Sequence, residues 1–446
     1  MKSKTFILSW SISVLSLFTG PVLWAQDTAA RKLTLDEAIA ATLTDNKTAR
    51  IAKLDENIAR ANYRQTDAIF LPQVSFSYTA MTTNNPLNAF GYKLEQRSIT
   101  QNDFNPALLN HPSGTPDMMT RLEVQQPLLN ADMLYARKGA EKQVQVYQYQ
   151  GQRTNEYLAY EVTKAWLQLQ LAYQAVHVLS DAQKTAQSVY KFTDDHYQQG
   201  LIQKSDVLNT QVHLTSVESN LAKAKSNIQN ASDYLSVLMG TKTGVIYTID
   251  DKAGPEIPLM DSAMNISDNR ADFMAMQKAI EGSDMMLKSN RMSLLPKLNA
   301  FGNYQYNDAH LTGFGANSYL VGIQLSWDIF KGNSRKNKID AQRLERDKLT
   351  EQLAQQKLQG QMELNKAIRD LSDTRLEINR DRAAVDHAAE SMRILQNRYR
   401  QGLINTTDVL MAETQLSQQK FTLAQAEFNL ALTKAYIQLL TSSASK

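Results

Sequence analysis

Long proline-free stretches with apolar residues spaced alternately four and three apart dominate this chain. One such stretch runs from about residue 128 to 199 and carries the apolar series Leu158, Val162, Ala165, Leu169, Ala172, Val176 and Leu179. This heptad spacing is typical of helices that pack along a continuous apolar seam. The stretch therefore predicts a single helix about 100 Å long, at roughly 1.5 Å per residue.

Three further regions continue the same helical spacing. Apolar residues recur from Leu214 to Leu238, and a second proline-free stretch runs from about residue 330 to Gln401. A last helical pattern follows Gly402. The chain is therefore predicted to be mainly α-helical.

Short stretches in which apolar and polar residues alternate separate these helices. In the first, Val74, Phe76 and Tyr78 lie on one face, and Ser75 and Ser77 lie on the other. Such alternation predicts a β-strand with one apolar and one polar face. Four strands are expected, at about residues 73–81, 119–127, 298–307 and 319–329. The proline-rich residues 82–117 are expected to form a long loop.

The chain contains an internal duplication. The segment YQQGLIQKSDVL, which begins at Tyr197, recurs 202 positions later as YRQGLINTTDVL, beginning at Tyr399. Because a repeat of this length is the strongest guide to domain organisation, the chain is divided into two similar halves. Each half is predicted to run helix, strand, strand, long helix, helix. The predicted segments are a signal peptide at 1–25, a first repeat at 26–240, a linker at 241–268, a second repeat at 269–442 and a tail at 443–446.

The repeated segment predicts the tip of a helical hairpin. Gly200 and Gly402 can adopt the left-handed conformation that closes a helix. Side-chain oxygens shortly after each glycine can accept from the free N–H groups of the next helix. Ser205 or Asp206, and Thr407 or Asp408, are the expected caps.

Composition and charge exclude several classes of protein. The formal net charge of +3 is too small to indicate a nucleic-acid partner. The absence of cysteine excludes disulfides, zinc-thiolate sites and a lipid anchor on an N-terminal cysteine. Lys2 and Lys4, followed by a mostly apolar stretch, indicate a secretory signal, with an uncleaved N-terminal anchor as the alternative. Removal of residues 1–25 lowers the formal charge to +1.

The four predicted strands are too few to form a closed barrel within one chain. Beyond residue 25, no stretch approaches the roughly 20 apolar residues of a membrane helix. An exported chain of this kind is either soluble or crosses a membrane as strands. Four strands of about ten residues are long enough to cross, but they cannot close on themselves, and an open edge is not tolerated in lipid. Closure by several copies is expected; three copies would give twelve strands, although strand length does not choose three over two or four.

This order of elements resembles the TolC-like outer-membrane efflux and secretion channels. The duplicated tips, the Leu-Pro pairs at Leu71 and Leu295, and the Leu87-Asn-Ala-Phe-Gly sequence carry the resemblance, which spans nearly all of residues 33–442. The resemblance implies a mainly α fold with a small β part. In it, a homotrimer forms a twelve-stranded outer-membrane β-barrel in contact with lipid, continued by a long periplasmic α-helical coiled-coil barrel.

The same resemblance implies a function and its partners. The protein would be an export duct of a tripartite efflux pump or type I secretion system, docked to a periplasmic adaptor and to an inner-membrane pump of the RND, ABC or MFS type. Its periplasmic gate would contain Asp206, Asp408, Ser205 and Tyr399, with helix capping as the alternative role of the two aspartates. Adaptor contacts would fall on Gly200, Leu201, Ile202, Gly402, Leu403 and Ile404. Ile404 and Met411 stand where some members carry an arginine and a second acid.

Two other functions are weighed against the duct. An enzyme is not indicated, because the six histidines (His111, His177, His196, His213, His310 and His387) form no metal-binding pair and no phosphate-binding loop or nucleophile elbow is present. The cluster Asp194-Asp195-His196 is interpreted as part of a polar helix face. No cofactor and no metal site are predicted. A soluble periplasmic coiled-coil adaptor would share the hairpins but would not need alternating strands.

Overall fold

A computed structural model describes residues 31–249 and 265–444. The predicted signal peptide at 1–25, residues 250–264 of the predicted linker and residues 445–446 of the predicted tail lie outside the described residues.

Helices make up most of the described chain. Two of them, α5 (Ala131–Gln198) and α8 (Ser334–Arg400), span 68 and 67 residues. The other helices are α1 (Leu35–Asp45), α2 (Lys47–Gln65), α3 (Pro86–Glu95), α4 (Pro106–Asn110), α6 (Lys204–Leu238), α7 (Ala271–Met292) and α9 (Thr406–Thr441). A capping box is present at the start of α1, since Thr34 accepts from the N–H of Glu37 and Glu37 accepts from that of Thr34.

A four-stranded antiparallel sheet lies at one end of the long helices. Its strands are β2 (Gln73–Thr83), β3 (Thr115–Leu129), β5 (Lys297–Asp308) and β6 (Ala316–Ser326), in the order β2-β3-β5-β6. The two halves of the chain therefore meet where β3 pairs with β5. Strands β2 and β6 form the two edges of the sheet, and their outer hydrogen-bonding groups are unpaired within this sheet.

The second strand is longer than the sequence pattern predicts. Pro127 was expected to end it, but β3 continues to Leu129 through a register shift between Pro127 and Leu129. A proline cannot donate to the ladder, so a bulge is one of the few places in a sheet that accepts it. At the other end, pairing of Thr83 with Thr115 extends both strands beyond their predicted limits.

The prediction of an irregular loop at 82–117 is wrong in part. Pro86 and Pro106 each open a short helix, α3 and α4, and Asn85 and Asn105 cap these helices through their side-chain oxygens. Proline is well suited to the first position of a helix, where its missing N–H has no intrahelical partner. The prolines of this segment therefore begin helices as well as interrupt them.

The first residues of the predicted linker belong to the folded core. Strand β4 (Tyr247–Thr248) pairs in parallel with β1 (Arg31–Lys32). Tyr247 is 2% exposed, and its hydroxyl accepts from Ser236 in α6 at 3.1 Å. This segment therefore fastens the end of the first repeat to the start of the chain.

The shorter helices lie end to end beside the long ones in both halves. Helix α6 ends against the junction of α1 and α2, where the side-chain amide of Asn46 donates to the carbonyl of Leu238 at 2.7 Å. In the second half, the N–H of Ala444, just beyond α9, donates to the carbonyl of Asn269, just before α7, at 2.8 Å. The buried seam residues predicted from the heptads, including Val162, Leu235 and Leu364, pack between these helices.

Gly240 is required at the first of these junctions, which gives a testable prediction. Its φ is +69°, and a Cβ atom placed there would lie 2.5 Å from the carbonyl oxygen of Asp45. Gly240→Ala should lower the free energy of unfolding by about 3 kcal/mol, the sum of a left-handed backbone and a backbone clash. The measurement is chemical unfolding of the purified protein in detergent.

The matched control for this variant is Gly200→Ala. Gly200 also has a positive φ, +75°, but nothing lies within 4 Å of its Cβ position. It should cost only about 1 kcal/mol, the price of the backbone conformation. Equal losses in the two variants would contradict a steric role for Gly240.

No helix in residues 31–249 and 265–444 combines the length and apolar character needed to cross a bilayer.

Candidate functional site: the helix tips

The two hairpin tips, at the end of the long helices opposite the sheet, have the same backbone geometry. In the first, the N–H of Gly200 donates to the carbonyl of Tyr197 and the N–H of Leu201 donates to that of His196, both at 2.9 Å. In the second, Gly402 donates to Tyr399 at 2.9 Å and Leu403 to Arg398 at 3.0 Å. Both glycines have a positive φ, at +75° and +73°. These are Schellman-type helix ends, as predicted from the repeated glycine.

The predicted helix caps are wrong in both tips. Helix α6 begins after Gln203, which makes no side-chain cap, and Ser205 only donates to the Gln203 side chain at 3.4 Å. Helix α9 begins after Asn405, whose side-chain oxygen accepts from the N–H of Asp408 at 2.9 Å. Asp206 and Asp408 are instead the third residues of their helices, inside the first turn.

Asp206 and Asp408 keep their carboxylates available. Both side chains are half-buried, and within the described residues neither makes a hydrogen bond or an ion pair. A carboxylate in the first turn of a helix is favoured by the helix dipole. The fold therefore tolerates the two charges without using them in a contact of its own.

Tyr399 is at the centre of a buried hydrogen-bond chain that joins the two hairpins. Its hydroxyl lies 2.7 Å from Oγ1 of Thr193 in α5 and 3.0 Å from Oγ1 of Thr406 in α9. Because the Thr193 hydroxyl donates to the carbonyl of Val189 at 2.7 Å, its oxygen must accept from Tyr399. The Tyr399 oxygen then accepts from Thr406, and every hydroxyl in the chain is used.

Apolar side chains enclose this hydrogen-bond chain. Val189, Met392 and Val409 pack with Tyr399, and the ring of Phe192 lies 4.9 Å from the tyrosine ring. Tyr197, which occupies the equivalent position in the first repeat, is half-buried and its hydroxyl has no partner among the described residues. The duplication is therefore broken at this position, and only the second tyrosine joins the hairpins.

A second polar contact links the hairpins two to three helical turns above the tips. Nε2 of His213 in α6 lies 3.1 Å from Oε2 of Glu413 in α9, and Ser417 donates to Oε1 of the same glutamate at 2.7 Å. Glu413 is 5% exposed. A buried carboxylate needs such partners, since an unpaired one is strongly disfavoured.

Sequence reasoning missed Thr193, Thr406, His213 and Glu413. The available signal was a polar residue on an apolar seam: Glu413 stands four residues after Val409 and three before Leu416, and Thr193 stands four residues after Val189. The pattern alone does not reveal which element faces each polar residue.

The apolar residues of the tips divide into two kinds. Leu201 and Leu403 are 64% and 65% exposed, next to the glycines of the two turns. Ile202 and Ile404 are half-buried, and Ile404 packs against the cluster around Tyr399. The two leucines therefore present a small apolar surface at the end of the molecule.

His196, the histidine of the Asp194-Asp195-His196 cluster, makes its contacts within its own helix. Nδ1 of His196 lies 3.1 Å from the carbonyl of Phe192, and the two rings are in contact, with centroids 4.0 Å apart and planes tilted by 41°. In the described ranges, no group of three or more histidine and acidic side chains is arranged to hold a metal ion.

Comparison with known proteins identifies the family. The family model described as outer membrane efflux protein matches residues 38–241 and 264–443. The chain belongs to this family. Membership places this outer membrane efflux protein in the outer membrane and assigns it to transport.

Curated relatives cover nearly the whole chain at low identity. The probable outer membrane lipoprotein SilC of Salmonella typhimurium is 23% identical over 414 residues, which cover 88% of this chain and 82% of SilC. The cation efflux system protein CusC of Escherichia coli K12 is 21% identical over 400 residues, covering 87% and 82% of the two chains.

Solved structures share the fold of this efflux protein. A crystal structure of CusC aligns with a TM-score of 0.77 at 16% identity, and the alignment covers 92% of each chain. The CmeC outer membrane channel of Campylobacter jejuni aligns with a TM-score of 0.74 at 15% identity, covering 98% of this chain and 94% of CmeC. The arrangement of long helical hairpins below a small sheet is thus a fold of outer-membrane channels.

Proposed function

We propose that this protein is the export duct of a tripartite efflux pump or type I secretion system, assembled from three identical chains and gated at its helix tips. One observation carries the proposal: the long helices have an unclosed sheet at one end and a pair of joined hairpin tips at the other. At one end lies a sheet with free edges on β2 and β6. At the other lie two tips joined by the buried Tyr399 hydroxyl.

The free edges of the sheet support assembly from several chains. Edge strands that enter lipid must pair, because unsatisfied backbone groups there cost several kcal/mol each. Exposed apolar side chains on the edge strands, such as Phe76 at 69%, Val321 at 74% and Ile323 at 69%, support contact with outer-membrane lipid. In the proposed assembly, β2 of one chain pairs with β6 of the next.

Cysteine cross-linking tests this assembly directly. The chain has no cysteine, so introduced thiols are the only ones present. Within one chain, β2 and β6 are separated by two strands, a distance of roughly 14 Å that no disulfide spans. A variant with one cysteine on β2 and one on β6 should therefore form disulfides only between different chains. On a denaturing gel it should give a ladder of cross-linked dimers and trimers that ends at a closed ring of three chains. Uncross-linked chains, or a ladder that continues beyond three, would contradict the proposal.

The proposed gate contains Asp206, Asp408, Ser205 and Tyr399. Three chains would bring six carboxylates from the two aspartates to one narrow ring, which attracts cations. Their lack of partners in the described structure supports this role. The hydrogen-bond chain through Tyr399 would hold the second hairpin against the first in the closed state.

The proposed partners dock at the tips. Leu201 and Leu403 are exposed apolar side chains in an otherwise polar region, and such surface often marks a contact with another protein. We assign Gly200, Leu201, Ile202, Gly402, Leu403 and Ile404 to contact with a periplasmic adaptor, which would link the duct to an inner-membrane pump of the RND, ABC or MFS type. One relative, CusC, is named as a cation efflux system protein, which makes cations one class of cargo to test.

A further inference from the structure

Exposed apolar pairs mark the helix-side end of every strand in the sheet. The chain enters or leaves this end of the sheet four times, and each passage carries two adjacent large apolar residues that are between 47% and 79% exposed. The pairs are Phe70-Leu71, Leu128-Leu129, Leu294-Leu295 and Ile329-Phe330. They continue the apolar surface of the sheet towards the helices.

A band of positive charge follows immediately beyond these pairs. Helices α2, α5, α7 and α8 begin or end here, and the eight residues of each that lie nearest the sheet contain nine arginines or lysines but only two aspartates. The whole chain has a formal net charge of only +3. The remainder of the molecule is therefore net negative, and the excess of positive over negative charge is concentrated in this one layer. These four helix ends are here called the basic band.

Several cations of the basic band have no partner in the protein. Within the described ranges, Arg64, Lys288, Arg291, Lys336 and Lys338 are exposed and form no ion pair. Other members are paired: Arg137 contacts Asp67, Arg60 contacts Glu56, and Arg335 contacts Asp328. The band is thus not a network of internal salt bridges.

Helix stability does not account for the cations of α8 either. Its first turn carries Arg335 and Lys336 and no acidic residue. Cations at the start of a helix are disfavoured by the helix dipole, which prefers acidic residues there. Their occurrence next to an exposed apolar pair indicates a ligand outside the chain.

We propose that the basic band binds the phosphate groups of anionic glycerophospholipids in the membrane leaflet on the helix side. An apolar layer followed by a cationic layer matches the order of acyl chains and phosphates at a bilayer surface. The long side chains of Lys336, Lys338 and Arg291 can reach this level while the apolar pairs remain in the hydrocarbon. This inference rests on the proposed placement of the sheet in the outer membrane.

Spin-labelled lipids provide the test. The assembled protein is reconstituted in phosphatidylcholine vesicles, and electron paramagnetic resonance measures the motionally restricted fraction of labelled phosphatidylglycerol and of labelled phosphatidylcholine. Wild type should select phosphatidylglycerol by about threefold at low salt, and about 0.5 M salt should abolish the preference. The variant Arg291→Gln/Lys336→Gln/Lys338→Gln should bring the ratio close to one.

The control variant removes the same number of charges from the helical shaft. Lys223→Gln/Lys225→Gln/Arg375→Gln changes exposed residues of α6 and α8 that have no ion pair among the described residues. It should keep the wild-type ratio. An unchanged ratio in the band variant, or an equal loss in the control, would overturn the inference.

Two further outcomes are also decisive. If the band variant alters the ion selectivity of the channel while the lipid ratio stays the same, the cations face the passage and the inference is wrong. If neither labelled lipid shows a restricted fraction, the protein has not entered the bilayer, and both the proposed placement of the sheet and the inference that rests on it are overturned. A restricted phosphatidylcholine fraction in every variant therefore separates failure of the inference from failure of the proposed function.

Discussion

Replacing Asp206 and Asp408 together by asparagine should raise single-channel conductance in planar bilayers and weaken block by divalent cations by about tenfold. Asparagine keeps the size of the side chain and removes only the charge. The two carboxylates are half-buried in the first turns of α6 and α9 and have no partner within the described residues. Their removal should therefore change the field at the entrance more than it changes the fold.

Exposed acids further up the second hairpin provide the control for this variant. Asp373 and Asp386 lie on α8, roughly 40 and 20 Å from its tip end at 1.5 Å per residue, and form no ion pair in the part of the chain that the structure describes. Asp373→Asn/Asp386→Asn removes the same charge from each chain. Wild-type conductance and block in the tip variant, or the same change in both double variants, would remove Asp206 and Asp408 from the gate.

Tyr399→Phe should raise the ratio of open to closed channels by about tenfold. The substitution leaves the hydroxyls of Thr193 and Thr406 without their buried partner, a loss of about 1–2 kcal/mol. This loss falls on the closed arrangement, in which the second hairpin lies against α5. The open fraction is measured from single-channel records, and a thermal unfolding curve of the detergent-solubilised protein reports any general loss of stability.

Tyr197→Phe is the matched control for Tyr399→Phe. The two tyrosines are equivalent in the duplicated sequence, but the Tyr197 hydroxyl has no partner among the described residues. Its removal should leave the open fraction unchanged. A second check is Tyr399→Phe combined with Thr193→Val, whose effect should be smaller than the sum of the single effects, since both lose the same hydrogen bond. Strict additivity, or equal effects of the two tyrosines, would show that the bond does not hold the tips closed.

The basic band and the hairpin tips illustrate two ways in which a duplicated chain departs from its own symmetry. At the tips, the backbone turns of Gly200 and Gly402 are the same, but of the two equivalent tyrosines only Tyr399 is hydrogen-bonded across the hairpins within the described residues. In the basic band, every helix contributes a cation, so the common feature is retained in all four. Features needed at every junction persist in both repeats, whereas a contact between the repeats uses only one copy.

The sequence by itself determined the elements of this protein and their order. Local patterns predicted these elements: the heptads of α5 and α8, the alternation in β2 and the repeated glycines. Each pattern depends only on residues close together along the chain, so the sequence is enough to assign the helix, strand or turn. The turns at Gly200 and Gly402 could be predicted for the same reason. Pro86 and Pro106 misled the prediction because proline can either begin a helix or interrupt one.

Only the tertiary structure decided which side chains form the candidate site. The bond between Tyr399 and Thr193, and the contact between His213 and Glu413, join residues about two hundred positions apart. No local pattern shows which face of α5 or α6 receives a residue from the other half, because that choice depends on how four long helices pack together. The sequence also leaves the start of α9 open, because Asn405, Thr407 and Asp408 are all favourable caps, and the structure shows Asn405 in that position.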